Sequence, residues 1–298
     1  MHEKHERGNN MIDESAVGLK LNQKFSYTWR DIILYNLSVG AQQEELEYVY
    51  EKGLKVLPTF GVIPCAATFG TEPYSSQPLM PTHQIEGLRT DGTLHMDHKL
   101  VIHKPIPTEA VLDIEKVISA VYDRGVGKGA KINVDIIGRD AAGEKLFTNT
   151  MGYLNRWSGG FGGKNVPHSD VVVPNREPDH KIPGSYPMNT PLLYRLTGDT
   201  YPLHADPEFA AKAGFPRPIV HGLCSLGYAC RMMIEELFTG EPERVKSIEN
   251  QFRSVAMPGD TFTLLLWDVA PGETIFRMVK DSDGKAILDY GKMVWETK

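Results

Sequence analysis

The chain has 298 residues, 41% of them apolar and 23% charged, with a formal net charge of −6. That is an ordinary globular balance, long enough to bury two cores. The acidic balance, with no Lys/Arg run, argues against a nucleic-acid partner, and no apolar stretch reaches the length of a membrane span. Three cysteines, Cys65, Cys224 and Cys230, are too few for a disulfide framework and suggest a reducing compartment, read as the cytoplasm.

Residues 1–18 are polar and charged, lack the apolar core of a signal peptide, and read as a flexible tail. Phe25-Ser-Tyr-Thr-Trp29 is strand-like. Asp31 to Gly40 reads as a short helix with Asp31 as its cap and Gly40 closing it. Glu44 to Lys55 fits a strand or a partly exposed helix, and Pro73 to Pro81 a loop. Leu94 to His103 is a strand, broken by Lys104-Pro-Ile-Pro107 and resumed from Ala110 to Ser119. Lys131 to Arg139 and Lys145 to Leu154 form a hairpin around Asp140-Ala-Ala-Gly143. Gly125-Val-Gly-Lys-Gly129 lacks the strand-then-helix context of a nucleotide loop and reads as a hairpin turn. His95 and His98 face opposite ways on an ideal strand, which favours pocket-lining or solvent-facing histidines over a metal site.

Ser158-Gly-Gly-Phe-Gly-Gly163 and the prolines that follow mark residues 158–190 as an extended connector without regular structure. The plan then repeats. Tyr194-Arg-Leu-Thr-Gly198 echoes Tyr35-Asn-Leu-Ser-Val39. Asp206 to Gly214 is a short helix with Asp as cap, Pro first and Gly last. Leu223, Leu226, Cys230, Met233, Ile234 and Leu237 recur at helical spacing between Gly222 and Thr239, with Gly240 as the stop. Strands follow at Thr261 to Trp267, Thr274 to Val279 and Ala286 to Trp295, with Asp281 to Gly284 as a turn. A helix followed by antiparallel strands, twice over, is an α+β duplication, with domains at 19–157 and 191–298.

The chemistry gathers in Thr197-Gly-Asp-Thr-Tyr-Pro-Leu-His204 and Pro218-Ile-Val-His-Gly222. Gly198 frees the backbone for an unusual turn, and Pro202 suits a first helical position. Asp199 then lies outside the helix start and His204 just inside it, so their side chains can converge on one water for proton transfer. A capping carboxylate beside a hydrogen-bonded imidazole would give the same pattern. Cys224 near His221 could be a nucleophile with its base, but a cysteine on an apolar helix face is more often inert packing.

These residues resemble the MaoC-like family, the type 2 (R-specific) enoyl-CoA hydratases. The resemblance runs from Tyr194 to His204, through Ala213 to Cys224, and extends to Leu57-Pro-Thr-Phe60, Leu94-His95, Lys104-Pro-Ile-Pro107 and Gly159 to Lys164. It implies a double hotdog fold, in which the N-terminal domain makes room for the acyl chain and the C-terminal domain carries the catalytic motif. It implies that Asp199 and His204 are catalytic and that the Gly222 N–H polarises the thioester carbonyl. His95, Arg124, Tyr201 and Phe252 fall where relatives contact the acyl-CoA substrate. Tyr201 stands where the family usually has Asn, and His95-Met-Asp-His98 where it has His-Gly-Glu-Gln. The implied reaction is reversible hydration of a trans-2-enoyl-CoA in fatty acid metabolism such as beta-oxidation, with no cofactor, no metal and a homodimeric assembly. An acyl-CoA thioesterase and a non-catalytic acyl-CoA-binding subunit are the alternatives.

Overall fold

A computed structural model describes residues 11–66, 80–90 and 93–298; most of the loop expected at Pro73 to Pro81 lies outside them. The N-terminal half holds β1 (Lys20–Tyr27), α1 (Trp29–Ser38), α2 (Leu46–Val49), α3 (Ile63–Ala66), β2 (Leu94–Ile102), β3 (Ala110–Asp123), β4 (Ala130–Arg139) and β5 (Lys145–Asn155). The C-terminal half holds β6 (His180–Ser185), α4 (Thr190–Tyr194), α5 (Pro207–Lys212), α6 (Gly222–Phe238), β7 (Val245–Phe252), β8 (Thr261–Ala270), β9 (Glu273–Lys280) and β10 (Ala286–Trp295).

All these strands join one ten-stranded antiparallel sheet in the order β1-β3-β4-β5-β2-β7-β10-β9-β8-β6. The second half repeats the first. β6, β8, β9, β10 and β7 occupy the places of β1, β3, β4, β5 and β2, and the halves meet edge to edge where β2 pairs with β7. Alternation is clean in β4, whose even-numbered residues from Ala130 to Gly138 are buried, because one face of an antiparallel sheet packs on a core.

β6 corrects the expectation of a structureless connector. Its Pro183 has no N–H to give a ladder, so it can sit only where one side is unpaired, and β6 is the sheet edge. The connector's start is pinned as well. The Asp123 carboxylate accepts the N–H groups of Gly125, Gly160 and Gly162, each at 2.7 Å. Both glycine-rich stretches therefore wrap the protein's own anion. Residues 11–18 are less free than a tail: Ile12 is buried, and its N–H donates to Ser158 Oγ at 2.9 Å.

α1 begins earlier than its acidic residue suggested. Thr28 is the cap, and Asp31 is the third residue reaching back to the Thr28 N–H at 2.8 Å in a capping box. Glu44 to Lys55 holds only the single turn of α2. α5 follows expectation: Asp206 accepts from the N–H groups of Glu208 and Phe209. α6 runs 17 residues through the core, with Leu223, Leu226, Cys230, Met233 and Ile234 buried. Its small residues receive a helix and not only the sheet: a Cβ at Gly227 would collide with Val39, the residue closing α1. Opposite it, the N-terminal half offers the turn Pro58–Val62 and α3, whose Ala66 is the last residue described before Met80. No helix among the described residues is long and apolar enough to cross a membrane.

Candidate active site

A cavity of about 570 Å³ opens between the halves, walled by Thr82, Ile132 and Tyr153 on one side and by Ile219, Leu223 and Ala256 on the other. Asp199, Tyr201, His204, Gly222, His95 and Phe252 all line it. Arg124 does not: it is exposed in the β3–β4 turn and donates to the Lys128 carbonyl at 3.2 Å.

The Asp–His pair is built by a short turn. Gly198 takes φ +137°, a conformation L side chains rarely adopt, and reverses the chain after Thr197. Pro202 then opens a single 3₁₀ turn that ends at His204. Asp199 stays outside this turn, and its carboxylate accepts the Tyr201 N–H at 3.3 Å. A carboxylate oxygen of Asp199 and a ring nitrogen each of His204 and His221 lie within 4.8 Å of one another.

His204 Nδ1 faces the Ile219 carbonyl at 2.9 Å. A carbonyl only accepts, so Nδ1 bears the proton and Nε2 keeps its lone pair. Burial pushes this imidazole below its ordinary value, and the nearby Asp199 carboxylate partly offsets that. Burial raises Asp199 in turn, against the pull of His204. The two titrations are thereby drawn together and behave as those of a pair.

The sequence offers His221 only as a base for Cys224. Its ring instead stacks on His204, with centroids 3.5 Å apart and planes inclined by 21°. Such nearly parallel planes do not meet within a bond length of either ring, so the in-plane lone pairs cannot converge on one ion. Cys224 is buried, its Sγ 3.4 Å from the Ser38 carbonyl, and burial pushes the thiol well above its ordinary range, which leaves it inert.

Tyr201 stands apart from the His204 ring. Its ring centroid lies 6.3 Å from that of His204, and the ring packs edge-on against Phe209 at 5.3 Å. Gly222 is the first residue of α6, so its N–H has no partner within the helix. Phe252 presses on it: a Cβ at position 222 would lie 2.9 Å from that ring. Phe252 also packs against the His95 ring, tilted by 56° with centroids 4.6 Å apart.

His95 and His98 do not face opposite ways. A register shift between His95 and Asp97 in the β2–β5 ladder adds a residue and turns the strand. The two rings come edge to face at 5.3 Å. His98 Nε2 donates to Asn149 Oδ1 at 2.8 Å, and Asn149 Nδ2 donates to the Gly61 carbonyl.

Three histidines lining the cavity, His95, His204 and His221, and His98 packed against His95 are thus held neutral by burial, His98 down to about 4. Each titrates nearer its ordinary 6.5 when unfolded, so the stability it contributes is present above that value and lost as pH falls. The raised Asp199, Glu235 and His180 work the other way. Melting temperature should therefore be flat above pH 7 and fall between pH 6.5 and 4.5, each imidazole contributing up to about 1.4 kcal/mol per pH unit. Thermal melts across that range check it, and a flat profile would contradict it.

Two five-stranded repeats, each set against helices and joined at one sheet edge, define a double hotdog. Residues 25–156 match the MFE-2 hydratase 2 N-terminal domain and residues 164–288 the MaoC like domain. Enoyl-CoA hydratase ChsH3 of Mycobacterium tuberculosis is 36% identical over 85% of this chain and 87% of its own. 3-Hydroxyacyl-thioester dehydratase Y of the same organism is 34% identical over 94% and 97%. The crystal structure of a MaoC-like dehydratase from Phytophthora capsici superposes with a TM-score of 0.84 at 27% identity, over 96% of this chain and all of that one. The chain belongs to the MaoC-like family, in its two-domain hydratase 2 form.

Proposed function

We propose that this protein is a hydro-lyase that adds water reversibly to a trans-2-enoyl-CoA, giving an (R)-3-hydroxyacyl-CoA. The observation that carries the reading is the meeting of the Asp199 carboxylate and the His204 imidazole in a cavity that Gly222 also lines, its N–H without a partner inside α6. Two relatives that match nearly the whole chain bear the names of this reaction, written in its two directions.

As water attacks C3, negative charge develops on the thioester oxygen. The Gly222 N–H, at the positive end of α6, is placed to stabilise it. Asp199 and His204 share the water: one accepts its proton and one delivers a proton to C2. Addition of water changes no net oxidation state, so no redox cofactor is required. The buried walls of the N-terminal half, Ile132 and Tyr153, would receive the acyl chain.

Arg156, from the end of β5, and Arg253, just after β7, are exposed at the rim of the same cavity. Neither has an acidic partner among the described residues; Arg253 lies 5.9 Å from the Tyr290 ring. Two uncompensated cations suit the phosphates of CoA. Arg253→Ala should raise KM for enoyl-CoA about tenfold with kcat unchanged, and leave an enoyl-pantetheine thioester unaffected. Equal effects on both substrates would contradict this.

The function itself is tested by following enoyl absorbance over a panel of enoyl-CoA substrates, with a thiol reagent in parallel. Loss of absorbance without free CoA supports hydration. Release of CoA would make the protein a thioesterase, and binding without either signal a non-catalytic subunit.

A further inference from the structure

Tyr153 and Thr82 sit in the cavity wall, 5% and 3% exposed, and the steps above use neither hydroxyl. On the β2–β5 and β4–β5 ladders Tyr153 lies beside His95 and Ile132, which line the same cavity, so its side chain is on the cavity face of the sheet. Thr82 comes from outside the sheet, in the turn Pro81–Gln84. The two hydroxyl oxygens meet at 3.4 Å. Burial pushes the phenol up to about 12, so it keeps its hydrogen.

The hydrogens of this pair do not balance. Each hydroxyl has one to give, and whichever donates to the other, one is left over. Neither oxygen has another partner among the described residues. The bond they share is long as well, since such contacts usually lie at about 2.8 Å. A solvent molecule can take the spare hydrogen before substrate binds, but a hydrocarbon chain that displaces the solvent cannot. Plain hydrocarbon over the pair therefore strands a donor, and an oxygen there satisfies it. The pair belongs to the acyl end of the cavity, because it is buried, whereas Arg156 and Arg253 at the CoA end are exposed.

We propose that the Tyr153–Thr82 pair donates a hydrogen bond to an oxygen on the acyl chain, so that the preferred substrates are enoyl-CoAs whose acyl group carries a keto or hydroxyl oxygen. The inference deepens the hydratase reading and rests on it. No bond is made or broken at the pair. It determines specificity, and the chemistry stays with Asp199 and His204. A site built to hydrogen-bond a substrate group rejects the analogue lacking that group, because its own polar atoms are then left unpaired.

The test compares hydration of trans-2-decenoyl-CoA with that of its 6-, 7-, 8- and 9-keto analogues, which move the oxygen along the chain. For the wild type, at least one keto analogue should exceed decenoyl-CoA about tenfold in kcat/KM. Tyr153→Phe combined with Thr82→Val removes both hydroxyls and keeps both shapes, an exchange that is nearly neutral for stability. In that double variant kcat/KM should fall for the preferred keto analogue and rise for decenoyl-CoA, bringing the two to parity. Each single variant leaves one hydroxyl and should keep part of the preference. A pair that only pins the Pro81–Gln84 turn to β5 gives no keto preference in the wild type, and a double variant slowed alike on every substrate. Either a wild type without preference or a preference that survives in the double variant overturns the proposal. If the double variant does not fold, the wild-type panel decides on the same criterion. Absence of hydration of every substrate would instead refute the functional reading itself.

Discussion

Asp199→Asn and His204→Gln should each lower kcat/KM for enoyl-CoA hydration by about 10²- to 10⁴-fold, the usual worth of a placed acid or base. Both side chains also do structural work, so the choice of variant matters. Asn keeps an oxygen for the Tyr201 N–H that Asp199 now accepts at 3.3 Å, and removes only the charge. That charge is one burial already disfavours, since the carboxyl is raised from its ordinary value. Removing it should leave the melting temperature unchanged or slightly higher. Loss of rate with an intact fold separates catalysis from capping, because a cap made by Asn is as good as one made by Asp. The acid limb of the wild-type pH–rate profile should belong to the pair and lie below pH 6.5, because His204 stays neutral past its ordinary range. Two variants that both turn over at near the wild-type rate would refute the assignment.

What could be read from the sequence alone were the features that local chemistry fixes. The cap, first proline and closing glycine of α5 lie within a few residues of one another, and the buried spacing of α6 is set by one period. The turn that brings Asp199 and His204 together is announced by Gly198 and Pro202, while their catalytic role is read from the family resemblance and not from the spacing. Features set by distant partners were not legible. Pro183 reads as a breaker until β6 is known to be an edge. The bulge that turns His95 toward His98 is a mismatch between β2 and β5, and neither strand contains it alone. The stacking of His221 on His204 joins residues 17 positions apart through the docking of α6. Arg124 matched a family position, yet the β3–β4 turn holds it away from the cavity, while Arg156 and Arg253 reach the rim from the ends of β5 and β7.

Gly222→Pro should lose about 10²- to 10³-fold in kcat, the cost of deleting one donor from a site of developing oxyanion charge. Position 222 is unusual in tolerating the test. It is the first residue of α6, where proline fits a helix, and His221 before it has φ −64° and ψ 138°, the extended shape that a following proline requires. Proline therefore removes the N–H without breaking α6. It also adds bulk, since any Cβ at this position meets the Phe252 ring at 2.9 Å. Gly222→Ala carries the same Cβ and keeps the N–H, so it measures the crowding alone, and Phe252→Leu in both backgrounds relieves it. The ratio of the Ala and Pro rates then isolates the hydrogen bond to the thioester oxygen. KM should move little between them, because the bond strengthens as charge develops and not on binding. Equal kcat in the Ala and Pro variants would remove Gly222 from the chemistry and leave the α6 terminus as a wall against which Phe252 and the substrate pack.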